Sequence, residues 1–387
     1  MTMVISGDCL YEMLQTRMNI ESWQGIKTQP LHEAVGYTAD LYRVEPIWKG
    51  KNLPKTLIIK ALNAQKTLDA ADLPTDAAVL EELMKFFHQN ECFYYNLFTK
   101  SVPSPLCIPR IYYCSDGRRA GEYPIIVMED LGAYKVIDMM NGLNTDQLKA
   151  VVNELAKLHY YSLTNSEWRK ISELQKYPAD HGFIQTVEIF LMKLKAQAPG
   201  CFLKSDKVIG LFNGGEFFLD YKITCEKEKN SVIAHGDLWT SNLLWEGNEL
   251  KAIIDWQQSH CGAITEDLMR VTITGVSAKT RRVLMKKVLE YYYEELQRTF
   301  AKTGKTAPFT LQNIEENYRR MLPLMACLMI FSIGMWCNTD FMKSDPENEE
   351  RRTKELFNRL EDIVNEAYDV IISADKNYKF YGLPEFD

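Results

Sequence analysis

The sequence predicts an α+β protein of two lobes, a small β-rich one followed by a larger, mostly helical one. Three observations say so. Short β-branched and apolar runs dominate the first third, helical periodicity dominates the remainder, and 387 residues exceed what one hydrophobic core ordinarily supports. In order, Val35 to Val44 and Lys55 to Leu62 read as strands, being short apolar runs bounded by Gly or Pro. Asp69 to Asp76 is a polar, Ala-rich connector. Ala77 to Phe98 then carries Met84, Phe87, Tyr94, Tyr95 and Phe98 at the repeat of a helix with one buried face. Tyr123 to Gly132 is a further strand, and the first lobe is expected to end there, dividing the chain into 1–132 and 133–387.

From Asn144 the pattern turns helical. Asn144 or Thr145 can cap a helix whose Leu148, Val152, Leu155 and Leu158 or His159 line one face, and another helix is expected over Phe183 to Ala196. The stretch VIAHGDLWTSNLLWEGNELKAIIDWQ, Val232 to Gln257, interrupts the helices with a hairpin turning at Gly247 and Asn248. Beyond it the chain is helical nearly to its end, with Asp345 and Pro346 starting a helix whose buried stripe is Phe357, Leu360, Val364, Ala367 and Ile371. The ligand site expected of such an arrangement is the cleft between lobes.

Charge narrows the function. Forty-five Lys and Arg stand against 52 Asp and Glu, a net charge of -7 without long single-sign blocks, so nucleic acid is not an expected partner. MTMVISGDCLYEM lacks a basic region followed by an apolar core; no signal peptide is expected, and the cytosol is the expected location. Nine scattered cysteines form no CxxC pair and read as reduced, packed thiols. Met321 to Cys337 is free of charge but shorter than the ~20 apolar residues a bilayer needs, and it contains Pro323, Ser332 and Gly334, so a buried core helix is expected rather than a membrane span.

The chemistry concentrates in HGDLWTSN and IIDWQ. Asp237 follows the apolar VIA, Asn242 lies five residues on, and Asp255 ends the run AII. Either acid alone reads as a turn residue closing a strand. Together the three offer two carboxylates and a carboxamide, hard oxygen donors of the kind Mg²⁺ takes one or two at a time while phosphate and water supply the rest. In the first lobe, Lys60 ends the apolar run LII and Glu91 sits on the apolar face of the helix. Each is expensive alone and each answers the other.

HGDLWTSN followed by IIDWQ resembles the phosphotransferase signature of choline kinases and aminoglycoside phosphotransferases and, above all, of the ecdysteroid kinase-like (CHK kinase-like) family. The resemblance runs in order from about Gly36 to the helices after Asp267. It implies a bilobal protein-kinase-like fold, ATP and Mg²⁺ as the nucleotide and ion, and transfer of the γ-phosphoryl group to the hydroxyl of a small molecule. Asp237 matches the catalytic aspartate, Asn242 and Asp255 the metal ligands, and His235 the histidine bracing the catalytic loop. Asp267 matches an acid tethering that loop. Lys60 matches the lysine that grips phosphate, bridged to Glu91, for which ECFYY fits the family's helix. Glu129 and Leu131 of MEDLG match the connector whose backbone binds adenine. Gly36, Tyr37 and Thr38 match the phosphate loop, although a single glycine in EAVGYTADLYRV departs from a glycine-rich turn and brings Asp40 near phosphate.

His159 reads as a packing residue; His260, just after Asp255, reads as a substrate or loop contact or as structural. The sequence WQQSHCGAITEDL after Asp255 lacks the glycine and APE-like segment of a protein kinase. The expected acceptor is a bulky, hydrophobic, steroid-like alcohol. The alternatives are a choline- or ethanolamine-type kinase, or a catalytically weak ATP-binding pseudokinase. Trp239, Trp245, Tyr291 to Tyr293, Tyr318 and Trp336 either wall the acceptor or pack as core, and nothing in the sequence sets an oligomeric state.

Overall fold

A computed structural model of the chain describes residues 6–31, 39–63, 77–100, 104–171, 183–212, 217–337, 346–375, 378 and 380. It divides into two compact units. The first comprises Met1–Lys135, Leu174–Pro178 and Lys251–Gln258; the second comprises Val136–Glu173, Ala179–Leu250 and Ser259–Asp387. The expected connector Asp69 to Asp76, the residue Asp345 and the first four residues of the expected strand from Val35 lie outside the described residues.

In the first unit, α1 (Gly7–Leu14) is capped by Ser6, whose hydroxyl accepts from the Cys9 amide at 3.2 Å. The strands β1 (Ile20–Pro30), β2 (Ala39–Gly50), β3 (Leu57–Leu62), β4 (Ile111–Ser115) and β5 (Ile125–Glu129) form one sheet in the order β1-β2-β3-β5-β4, and all its pairs are antiparallel. Between β3 and β4 runs α2 (Ala77–Phe98). Period-two alternation sets the two faces of the sheet. Leu57, Ile59 and Ala61 of β3 join Tyr42, Val44, Ile125, Val127, Leu10 and Leu14 in a buried cluster, which turns Ile58, Lys60 and Leu62 to the opposite face. The strand β1 and helix α1 carry no strong apolar run, so their burial rests on Leu10, Leu14 and the rings of Trp23 and Trp48, 5.8 Å apart.

The two-residue strand β6 (Lys135–Val136) marks the passage to the second unit. There α3 (Thr145–Thr164) starts on Asn144, whose side chain accepts from the Asp146 and Gln147 amides while Gln147 returns a bond to the Asn144 amide. Helices α4 (Phe183–Gln197), α5 (Ser205–Gly210) and α6 (Phe217–Lys227) follow. Next come β7 (Val232–Ala234), then β8 (Leu243–Glu246) and β9 (Glu249–Ile253) about a two-residue turn in which Gly247 takes φ 60°, and β10 (His260–Gly262). The chain ends in α7 (Glu266–Gly275), α8 (Ala278–Ala301), α9 (Leu311–Trp336) and α10 (Pro346–Ser373).

Helix α9 is the one helix among the described residues long and apolar enough to cross a membrane, and 72% of its most apolar window is buried within the protein. It continues through Pro323. Gly334 lets it approach α4, since a Cβ there would lie 2.5 Å from the Cβ of Phe190. In α10, Phe357, Leu360, Val364 and Ala367 are buried and Ile371 is half-buried, the stripe the sequence spells.

Candidate active site

Strand β3 and helix α2 bring the first set of candidate residues together. Lys60 leaves the sheet face that turns away from the Ile59 cluster, and its Nζ lies 2.7 Å from Glu91 and 2.6 Å from Asp255. The Glu91 side chain is 1% exposed and that of Lys60 12%. Burial alone pulls the lysine pKa down, but Asp255 and Glu91 outweigh it and hold the ammonium above the ordinary lysine value. Burial pushes the Glu91 carboxyl up and Asp255 adds to the rise, with Lys60 opposing both. An acid with that preference stays put only while Lys60 is present, so the two apolar-face charges that looked orphaned in the sequence each supply the other's partner.

The segment carrying Asp255 is fixed to α2 from several sides. Asn90 donates to the Gln257 carbonyl at 2.9 Å, and the rings of Phe98 and Trp256 meet edge to face at 4.7 Å. Asp255 itself takes φ 67°, a left-handed conformation that aspartate tolerates better than most L-residues. The carboxylate reaches Lys60 through Oδ1 and accepts from Gln257 Nε2 at 3.4 Å through Oδ2, and it remains 26% exposed. A cation could approach it.

The connector MEDLG is locked rather than solvated. Arg43 on β2 grips Asp130 with two bonds, at 2.7 and 3.2 Å, and the Gly132 amide adds a third at 2.9 Å. Burial opposes ionisation there, but Arg43 and that amide hold the Asp130 carboxyl below its usual range. A Cβ on Gly132 would fall 2.1 Å from Arg43 Nη2 and 2.9 Å from Asp130 Oδ1, so a side chain there would have to displace the pair. The Glu129 amide donates to the Arg110 carbonyl at 2.8 Å, and its Oε2 accepts from the Arg110 amide at 3.2 Å. Leu131 accepts from the Tyr134 amide at 2.9 Å. Gly36, Tyr37 and Thr38 lie outside the described residues; Asp40, the second residue of β2, accepts from Asn63 at 2.8 Å.

The second unit holds the second set. Strands β7 and β10 pair antiparallel, Ala234 opposite His260, and the loop leaving β7 carries His235 to Asn242. Its backbone is pinned by Asp267 at the start of α7, which accepts from the His235 amide at 2.6 Å and the Gly236 amide at 3.1 Å. Burial and neighbouring Glu266 push the Asp267 carboxyl up to about 7, against those amides and Arg270. His235 is fully buried and accepts from the Asp237 amide through Nδ1 at 3.3 Å. Asn242 donates Nδ2 to the Asp237 carbonyl at 2.8 Å and more weakly to Asp237 Oδ2 at 3.4 Å. Because that carbonyl requires a donor, the amide orientation is set and Oδ1 of Asn242 is the atom left to meet a cation. Asp237 Oδ1 is held by Arg270 Nη2 at 2.5 Å.

Among the described residues no group of three or more His, Cys, Asp or Glu converges on a point.

The histidines separate cleanly. His159 is 1% exposed, shares a 2.5 Å hydrogen bond with the Tyr292 hydroxyl, and is driven by burial down to about 3. It packs. His260 turns inward to Glu266 at 3.1 Å, and Glu266 also accepts from the Tyr221 hydroxyl, a buried network under the loop. Among the aromatic candidates, Tyr292 and Trp245 are core, and Tyr318 is bonded to Arg281 and Glu366. Trp239 and Trp336 stack at 4.8 Å beside the loop.

Residues 7–372 match the sequence pattern of the family DUF1679, described as "Uncharacterized oxidoreductase dhs-27". The chain belongs to the DUF1679 family. It is 27% identical over 340 residues to the Caenorhabditis elegans protein "Uncharacterized oxidoreductase dhs-27", covering 82% of this chain but only 40% of that protein. It is 25% identical over 316 residues to the "Uncharacterized kinase-like protein D1044.1" of the same organism, covering 77% of this chain and 81% of that one. Among solved structures, choline kinase from Cryptosporidium parvum Iowa II is similar at 14% identity and a TM-score of 0.48, covering 90% of each chain. The macrolide 2'-phosphotransferase MphH from Brachybacterium faecium is similar at 13% identity and a TM-score of 0.41, covering 90% of this DUF1679 chain and 98% of that one.

Proposed function

We propose that this DUF1679 protein is an ATP- and Mg²⁺-dependent phosphotransferase that moves the γ-phosphoryl group of ATP to the hydroxyl of a small molecule. The observation that carries the reading is the Lys60 ammonium held at 2.7 Å from Glu91 and 2.6 Å from Asp255. A strand lysine braced by a helix glutamate beside a cation-ready carboxylate is an arrangement for gripping and neutralising phosphate.

In this reading Lys60 contacts the nucleotide phosphates, with Glu91 fixing its direction. Asp255 and Asn242 hold Mg²⁺, which when bound neutralises phosphate charge. The backbone of Glu129 and Leu131 meets the base, and Gly36, Tyr37 and Thr38 cover the phosphates. Asp237 orients the acceptor hydroxyl. As that oxygen bonds to the γ-phosphorus, the bond from the γ-phosphorus to the β–γ bridging oxygen breaks, ADP departs, and the hydroxyl proton passes to the Asp237 carboxylate. His235 and Asp267 hold the loop.

The ecdysteroid kinase-like resemblance and the Trp239–Trp336 stack favour a bulky hydrophobic alcohol as acceptor. The cytosol is the proposed site of action. Calorimetric titration of the purified protein with Mg·ATP, followed by incubation of a metabolite extract with γ-labelled ATP and mass spectrometry, tests the reading. Binding plus a labelled phosphomonoester is expected. Binding without any transfer would make the protein a nucleotide-binding pseudokinase, and no binding at all would end the kinase reading.

A further inference from the structure

Helix α7 is buried along its whole length, from Glu266 to Gly275, and yet it contains an arginine. Arg270 is 7% exposed, and its Nη2 meets Asp237 Oδ1 at 2.5 Å. We propose that Arg270 is a positioning residue for Asp237, fixing the direction of its carboxylate for the acceptor hydroxyl. The inference rests on the reading of Asp237 as the group that receives the acceptor proton.

Three observations carry it. First, a guanidinium in a fully buried helix is costly, and an apolar residue of similar size is often as stable or more so. Arg270 Nε is itself buried with no hydrogen-bond partner among the described residues, so the guanidinium is incompletely satisfied and its bond to Asp237 is the contact that sets its direction. Second, the two oxygens of Asp237 are held unequally. Oδ1 has the short, charge-assisted bond to Arg270, and Oδ2 has only the 3.4 Å contact to Asn242. The carboxylate plane is fixed through one oxygen, and the less committed oxygen is left for the hydroxyl. Third, Arg270 follows Asp267 by three residues, on the same face of α7. Asp267 holds the loop backbone through the His235 and Gly236 amides while Arg270 holds the loop's acidic side chain. One rigid helix therefore sets both the position of the loop and the aim of its carboxylate. A misplacement of about 1 Å at a reacting group costs on the order of a hundredfold in rate, so fixing that aim has kinetic consequences.

The test is a double-mutant cycle on phosphoryl transfer from Mg·ATP to water and to the acceptors of a metabolite extract, using the full chain with Asp237→Asn, Arg270→Met, both together, and Arg270→Lys. Arg270→Met is expected to lower turnover about ten- to a hundredfold, with the Kd for Mg·ATP changed less than about threefold, and Arg270→Lys to recover part of the loss. In the Asp237→Asn background, Arg270→Met is expected to cause no further fall. Multiplied losses in the double variant would show that Arg270 acts apart from Asp237, and full activity of Arg270→Met beside a dead Asp237→Asn would overturn the inference while leaving the phosphotransferase standing. If Asp237→Asn turns over like the wild type, or the wild type transfers nothing, the reading of Asp237 fails first and this inference with it. Should Arg270→Met not fold, by its melting transition and nucleotide binding, Arg270→Lys decides: it keeps the charge and loses the planar fork, so wild-type turnover there would refute a positioning role.

Discussion

Replacing Asp255 separates what its side chain does from what its backbone demands. Its φ of 67° lies in the left-handed region, where an ordinary L-residue is disfavoured by about 1–2 kcal/mol, Asp and Asn by less, and Gly not at all. The ion pair to Lys60 is partly open to solvent at the Asp255 end, 26% exposed, and so contributes about 1 kcal/mol or less. Its loss is offset because Glu91, which Asp255 pushes up, is relieved of a like charge, and Lys60 keeps Glu91 at 2.7 Å. Asp255→Asn is therefore expected to leave stability within about 1 kcal/mol of the wild type. Asp255→Ala should lose roughly 1 kcal/mol more through strain, and Asp255→Gly should recover most of that after the extra chain entropy of glycine is counted. Scanning calorimetry should show the Ala variant melting a few degrees below the Gly variant, about 2–4 °C per kcal/mol for a domain of this size. All three should lose Mg²⁺-dependent ATP turnover by a hundredfold or more, so the stability order and the activity order part company. Equal melting of Ala and Gly variants would show that the backbone is not strained there, and an active Asn variant would remove Asp255 from the metal site.

Asp237→Asn should cut turnover by about 10²- to 10⁴-fold while Mg·ATP affinity measured by calorimetry stays within about threefold. The Arg270–Asp237 pair is electrically neutral as a unit, so under the proposed function an acceptor hydroxyl would meet no unopposed negative charge at Asp237. Competition between neutral alcohols and choline or an aminoglycoside in the transfer assay should favour the neutral ones, and a preference for choline would contradict this. His159 is held by burial at about 3 against an ordinary 6.5. The unfolded chain therefore takes up a proton below pH 6.5 that the folded chain does not, and the contribution to stability is full above 6.5 and falls as pH drops toward 3, by about 2 kcal/mol at pH 5. Urea unfolding from pH 7 to 5 should steepen in the wild type and flatten in His159→Gln; identical pH slopes would mean that His159 titrates normally.

Much of the molecule was legible because its elements follow simple periods. The α+β class, the helix Ala77–Phe98, the helix from Thr145 and the turn at Gly247 came from apolar spacing and capping residues alone. Lys60 and Glu91 were found because a charge on an apolar face demands a partner. What escaped has a physical reason too. Strand β1, IESWQGIKTQP, is an edge strand with little buried surface, so no apolar alternation announces it. The pairing of Asp130 with Arg43 spans 87 residues, and no local pattern encodes it. Arg270 did leave a signal in EDLMRVTITG: beyond the two acids that open the helix, it is an arginine among residues that are otherwise apolar or small, the same kind of charge that revealed Lys60.

That shared logic bears on how the two units are built. In the first, a buried lysine has two acids, Glu91 and Asp255, the second of them partly exposed. In the second, a buried arginine has Asp237, also partly exposed at 15%, with Asp267 three residues before it on α7. In each case a fixed cation is anchored by an element of regular structure and reaches an acid on a loop whose other oxygen stays accessible or weakly held. Stability alone would be served as well by apolar residues at Lys60 and Arg270, since buried ion pairs gain little over good packing. The proposed phosphoryl transfer gives both pairs a use that stability does not, since it needs one directed acid to hold a cation against phosphate and another to direct a hydroxyl and receive its proton.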